Sequence, residues 1–246
     1  MLTIEEVLRS SEVRSAANGL RFAFLPTEDS GLPGLLERLV ATVPAGVVER
    51  MRRTVCYFVP WIVKQRRGVA VASEPAGEEE ERKELCHHLD IKPAGNLLLI
   101  SLRFYEDDRY GLAMELFDKV AYIASLEPPP RPDFDELLER QLDQAGGELT
   151  PETADWRAEL RKLRAKGAPD PEAEANYRRA AETDALGVYM CALFTDVFYE
   201  DLIEEENAAP LPPDALYQRV RTLERLYPPN RGYSLQVVRQ RPRRRA

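Results

Sequence analysis

Histidine and cysteine are scarce in this chain. His87 and His88 are its only histidines, and Cys56, Cys86 and Cys191 its only cysteines. Two adjacent imidazoles exclude a histidine-rich metal site before folding is considered. The cysteines are odd in number and far apart, which excludes a disulfide framework and the paired spacing of a zinc site; buried reduced thiols are expected. The sequence also lacks a P-loop, an HExxH motif, a glycine-rich dinucleotide fingerprint and a nucleophile elbow. No catalytic residue, metal or cofactor is therefore assigned.

Long apolar runs are missing too. The longest, Val55 to Val63 (VCYFVPWIV), is far short of the roughly 20 residues that cross a hydrocarbon layer. The first residues, MLTIEEVLRSSEVRS, contain acids and no apolar run of signal-peptide length. Export by that route and membrane contact are not expected, and the chain reads as cytoplasmic. Arg50, Arg52, Arg53, Lys64, Arg66 and Arg67 flank the apolar run, so a buried core segment with a solvated basic rim is the plain reading.

What is present is charge, unevenly placed. The chain carries a net −8, yet the stretch from Arg231 to Ala246 holds six arginines and no acid, leaving about −14 on the remainder. The end of the chain, 239–246, reads as a flexible arginine-rich tail. It can dock on an acidic protein surface, remain solvated, or neutralise nucleic-acid phosphates. The interaction candidates are accordingly Arg52, Arg53, Arg239, Arg241, Arg243, Arg244 and Arg245.

Between these features, helix signals recur. Thr3 and Glu6 have capping-box spacing before Ile4, Val7 and Leu8. A helix is expected near Pro33–Val40, another over Gly46–Tyr57, and one over Glu81–Leu89, whose early acids suit a helix N-terminus. Gly111–Leu126 places Ala113, Leu116, Phe117, Val120 and Ile123 on one stripe. Asp133 and Glu136 predict a capping box ahead of Phe134, Leu137, Leu138 and Leu142. Thr150-Pro151 and Asp170-Pro171 are helix starts, because proline's missing amide matters little in the first turn. A final helix carries Leu216, Val220, Leu223 and Tyr227. Strands are expected only at Leu20–Leu25 and, as short or ambiguous segments, at Gly68–Ser73, Asn96–Tyr105 and Tyr233–Val238.

The pattern thus predicts a mainly α fold, an irregular multi-helix bundle with one or two short β-strands. It spans residues 1–238, with a joint at the proline-rich 127–132. Three constellations merit a structural check. Glu84 and His87 have the Glu-x-x-His spacing of carboxylate-bridged metal helices, with Glu106, Asp107, Asp108, Glu115 or Asp118 as partners from another segment. The second Glu-x-x-His of such a site is missing. The segment FYEDDRYG, Phe104 to Gly111, suits a metal or a cationic ligand, and equally a polar turn with Asp107 or Asp108 capping the next helix. Cys86 and His87 are adjacent, but neighbours point differently in regular structure.

Core-building signals outnumber chemistry-building ones. The leading function is a soluble helical adaptor or assembly subunit whose partner is another protein or a second copy. The alternatives are a nucleic-acid accessory protein using arginine–phosphate contacts and a metal-assisted enzyme.

Overall fold

The structure, a computed structural model, describes residues 1–25, 31–51, 53–91, 95–105, 108–126, 131–168, 170–202, 210–235 and 237–238. Residue contacts divide the chain into two compact units, Met1–Lys119 and Val120–Ala246.

The first unit opens with α1 (Ile4–Ser10). Its capping box is formed: the Thr3 hydroxyl accepts from the Glu6 N–H at 3.3 Å, and the Glu6 carboxylate accepts from the Thr3 N–H at 2.7 Å. Strands β1 (Arg14–Ser15) and β2 (Arg21–Phe24) pair antiparallel about a turn in which Gly19 has a φ of +87°. Asn18 Nδ2 donates to the carbonyls of Val40 and Val43, tying this turn to the end of α2 (Leu32–Thr42). Then follow α3 (Ala45–Val48), β3 (Thr54–Val59), β4 (Trp61–Lys64), β5 (Val69–Ala72), β6 (Lys83–Glu84), β7 (Cys86–Ile91) and β8 (Gly95–Ser101). Helix α4 (Arg109–Ser125) contains the unit boundary.

Two sheets organise this unit. The larger has the order β1-β2-β3-β8-β7, with β2, β3 and β8 parallel and β1 and β7 antiparallel to their neighbours. The smaller is antiparallel, in the order β5-β4-β6. Every residue of β3 is buried, as expected of a central parallel strand covered on both faces. One face of the large sheet sets Val55, Tyr57, Val59, Leu97 and Leu99 against Val7 of α1 and Ile62, Val69 and Val71 of the small sheet. The opposite face carries Phe22, Cys56, Phe58, Leu98 and Ile100, also buried.

This architecture corrects the expected fold. A mainly α bundle with one or two short strands misdescribes a chain that contains a five-stranded mixed sheet and a three-stranded sheet. The helix expected over Gly46–Tyr57 stops at Val48, and β3 starts at Thr54. The segment Glu81–Leu89 is largely the strands β6 and β7, and Asn96–Tyr105, which local sequence left open between strand and helix, is the strand β8 as far as Ser101. One cause underlies the two overturned helices and the open segment. Short apolar runs have no decisive period, and non-local pairing with β4, β8 and β3 overrides local helix preference.

The second unit contains α5 (Pro132–Leu142), α6 (Pro151–Ala165), α7 (Pro171–Phe194) and α8 (Pro213–Leu226), with β9 (Val197–Phe198) and β10 (Val237–Val238) paired parallel. Thr150 caps α6 by accepting from the Thr153 N–H, and Asp170 caps α7 by accepting from the Glu172 N–H at 2.9 Å. Helix α5 instead starts at Pro132, with Arg131 in the cap position and no side-chain cap. Ala185 to Leu193 of α7 is buried at every position.

Arg157 of α6 is the main tie between helix and loop here. Its guanidinium donates to the carbonyls of Gln141, Leu142, Gln144, Gly146 and Gly147, all at 2.8 to 3.1 Å, and so satisfies the end of α5 and the turn after it. Arg157→Ala strips these buried carbonyls of a charged donor, and a stability loss of about 3 kcal/mol is expected. Urea unfolding followed by Trp156 fluorescence in a Trp61→Phe background reads this unit separately, because the chain has only these two tryptophans. An unchanged midpoint would contradict this role for Arg157.

Candidate functional site

The sequence-derived residues distribute unevenly over the fold. Arg52, Arg239, Arg241, Arg243, Arg244 and Arg245 lie outside the described residues, as do Glu106 and Asp107. Arg53 is described and exposed immediately before β3, where its carbonyl accepts from the Asn96 N–H at 2.8 Å. This close approach requires Gly95, with φ +121°, since a Cβ there would lie 2.2 Å from the Arg53 carbonyl oxygen.

Glu84 and His87 do meet, although on strands. His87 Nδ1 is 2.8 Å from Glu84 Oε2, and Lys64 Nζ is 3.5 Å from Glu84 Oε1. His88 Nε2 lies 3.2 Å from Asn96 Oδ1. Asp108 accepts from the Gly111 N–H at 2.8 Å and caps the first turn of α4. Among the described residues no group of three His, Cys, Asp or Glu side chains is placed to hold a metal ion.

Cys86 and His87 occupy opposite faces of the sheet because successive side chains of a strand alternate. His87 stands opposite Leu99, and Cys86 opposite Ile100. The Cys86 thiol is pushed up by burial and by the nearby Glu115, and burial raises Cys56 to about 12. Both thiols are held protonated, the opposite of what a cysteine nucleophile needs. Glu115 is raised by burial, while its hydrogen bond from Tyr105 and the neighbouring Lys119 act the other way.

A cavity of about 190 Å³ in the second unit is lined by Asp135, Glu139, Arg164, Glu174, Tyr177 and Arg178. Its charges satisfy one another: Arg164 pairs with Glu139 and Glu174, and Arg178 with Asp135.

Strand β7 lies at the rim of the larger sheet, in a segment whose early acids pointed to a helix. Of the edge strands, β1 is two residues long, β6 is two residues long, and β5 is bridged on its outer side by Leu2, which exchanges two main-chain hydrogen bonds with Val71. Strand β7 has six residues and, among the described residues, a paired strand on one side only.

Its main-chain phase follows from its flank. The Ser101 N–H donates to the Leu85 carbonyl at 2.9 Å, marking a hydrogen-bonded pair. Direction alternates along an antiparallel strand, so His87 and Leu89 turn their amides to β8, while Cys86, His88 and Asp90 turn theirs outward. The even-numbered residues of β8 correspondingly turn to β3, where the Asn96 and Leu102 N–H groups donate to Arg53 and Val59.

An exposed apolar group adjoins this edge. Leu85, 44% exposed, precedes β7. Two residues before it, Lys83 holds its ammonium 4.4 Å from the centre of the Trp61 ring, which meets Phe104 edge-on at 4.9 Å. Phe104 is 37% exposed.

No helix among the described residues is long and apolar enough to cross a membrane. No protein-family model matches the chain, and the search of curated proteins returns no similar protein.

Proposed function

We propose that this chain is an adaptor or assembly subunit whose α/β unit binds another polypeptide by adding a strand to the outer edge of β7. The observation that carries this reading is that, among the described residues, a six-residue strand is paired on one side only, with the outward amides of Cys86 and His88 aligned for strand addition. The strand itself, CHHLDI, contains neither the lysine nor the proline that commonly blunts a sheet edge. Leu85, immediately before the strand, supplies exposed apolar surface at its start. The reading places the protein in the cytoplasm, in keeping with the free thiols of Cys56, Cys86 and Cys191.

His88→Pro is the discriminating variant. Proline removes an amide that points away from β8, so the β7–β8 ladder keeps its hydrogen bonds, whereas proline at His87 or Leu89 would break it. Light-scattering mass on the natively purified protein is expected to show a complex for the parent chain and its loss in His88→Pro, with the unfolding free energy from urea titration within about 1 kcal/mol of the parent. The same mass for both proteins at up to about 1 mM would overturn strand addition at this edge.

A further inference from the structure

The sequence of β7 narrows the choice of partner. Resting on the reading above, we infer that the strand added to β7 is β7 of a second copy of this chain, antiparallel about a twofold axis centred on Leu89.

Symmetry restricts the arrangements. A twofold axis that pairs two antiparallel edge strands stands normal to the sheet and returns each sheet face to itself. Residues directly opposite one another must share a face, so only odd-to-odd or even-to-even pairings are allowed. Three central registers meet this condition. Centring on His87 pairs only Cys86, His87 and His88 of each strand, because β7 begins at Cys86 and Glu84 belongs to β6 of the other sheet. Centring on His88 sets His88 against itself and Cys86 against Asp90, with no complementary pair. Centring on Leu89 sets Leu89 against Leu89 and His88 against Asp90 twice, once on each side of the axis.

The third register suits both sheet faces and the main chain. Leu89 packs on the apolar core of the first unit and is only partly buried there, so its counterpart extends the same apolar layer. His88 and Asp90 share the other face, as their opposite partners Leu98 and Asn96 show. With the amide phase established above, His88 and Asp90 of the two copies form the closely hydrogen-bonded pairs, in which the His88 N–H donates to the Asp90 carbonyl. Asp90 already has a contact within its own chain, and its carboxylate and carbonyl have further lone pairs with which to accept from His88 of the second copy. His88 Nε2 engages Asn96, leaving Nδ1 as the other polar atom of the ring.

Five residues per strand around one apolar centre make a small interface, so the association belongs in the range of about 10 μM to 1 mM. The test is sedimentation equilibrium of the full chain to about 1 mM, with Asp90→Lys, His88→Asp and an equimolar mixture of the two. The parent is expected to approach twice its 28.0 kDa mass. Each variant alone loses self-association at least tenfold, since an introduced ammonium faces His88 in the first and an introduced carboxylate faces Asp90 in the second. The mixture restores it, because both cross-strand pairs are then of opposite charge or neutral. Near-ultraviolet circular dichroism confirms that the variants are folded.

A parent chain that stays monomeric to 1 mM overturns the inference, as does a dimer unaffected by the two variants or not restored by mixing. A complex with a different polypeptide that His88→Pro dissolves, in a chain that does not self-associate, overturns the second copy while sparing strand addition. A single mass for the parent and His88→Pro at up to about 1 mM overturns both.

Discussion

Replacing Arg219 with methionine is expected to cost the second unit about 3–5 kcal/mol, the range seen when one member of a buried ion pair is removed. Arg219 and Glu148 are both fully buried and joined in a fork, with Nη1 to Oε2 at 2.6 Å and Nη2 to Oε1 at 3.0 Å. The Tyr177 hydroxyl donates to Glu148 at 2.9 Å, and Arg219 Nε donates to Gln141 Oε1 at 2.8 Å. Gln141 in turn donates to the Ala215 carbonyl. Burial pulls the Arg219 pKa down, and Glu148, as hydrogen-bond partner and counter-charge, more than reverses that, so the net shift is upward.

Methionine keeps much of the side-chain volume and removes the charge, which leaves Glu148 with Arg157 Nε at 3.7 Å as the neighbouring cation. The loss therefore comes mainly from an uncompensated carboxylate, not from a cavity. Glu148→Gln in the Arg219→Met background should recover part of the stability, with a coupling of about 1–3 kcal/mol in a double-mutant cycle. Urea titration of the Trp156 signal in the Trp61→Phe background measures all four corners. Additive losses would show that the two side chains do not act as a pair.

The second large effect is in pH dependence. Asp184 of α7 accepts from the Thr150 and Thr153 hydroxyls at 3.0 and 2.8 Å. Burial raises its pKa from 3.8 to about 7; the two threonine hydrogen bonds and Arg219 act downward, and Glu148 adds to the rise. The folded chain therefore holds a proton between pH 4 and 7 that the unfolded chain releases. Asp184 contributes most stability below its unfolded pKa, and that contribution is lost as the pH rises through about 7. A displacement of this size corresponds to about 4 kcal/mol at most.

Asp184→Asn keeps an acceptor for both threonines without the charge. The variant should match the parent near pH 4 and exceed it by about 2–4 kcal/mol at pH 8. Taking the difference between the two proteins cancels the carboxylates they share. A stability difference that does not vary from pH 4 to 8 would rule out Asp184 as the group responsible.

Legibility in the sequence tracks the range of the interactions. The starts of α1, α6 and α7 were readable because a cap is settled by residues within four positions: Thr3 with Glu6, Thr150 ahead of Pro151, Asp170 ahead of Pro171. The cap expected at Asp133 failed because Pro132 already occupies the first turn of α5. The buried network of Arg219, Glu148, Gln141 and Arg157 gave no local signal, since its members are drawn from three helices and a loop and look like surface charges in sequence. Glu84 and His87 illustrate the reverse case. Their spacing suggested a helix face, and they do touch, but across the join between two strands.

By itself, the sequence determined where α6 and α7 start, the caps that start them, and the scarcity of thiols and imidazoles. These are local or compositional properties, requiring no knowledge of what lies across the fold. Only the tertiary structure decided that Thr54–Val59, Cys86–Ile91 and Gly95–Ser101 are strands, that they order as β3-β8-β7, and that β7 lies at the rim. Strand identity and edge position depend on hydrogen bonds between distant segments, and an apolar run of six residues has the same composition whether its neighbours turn it into a helix, a central strand or an edge.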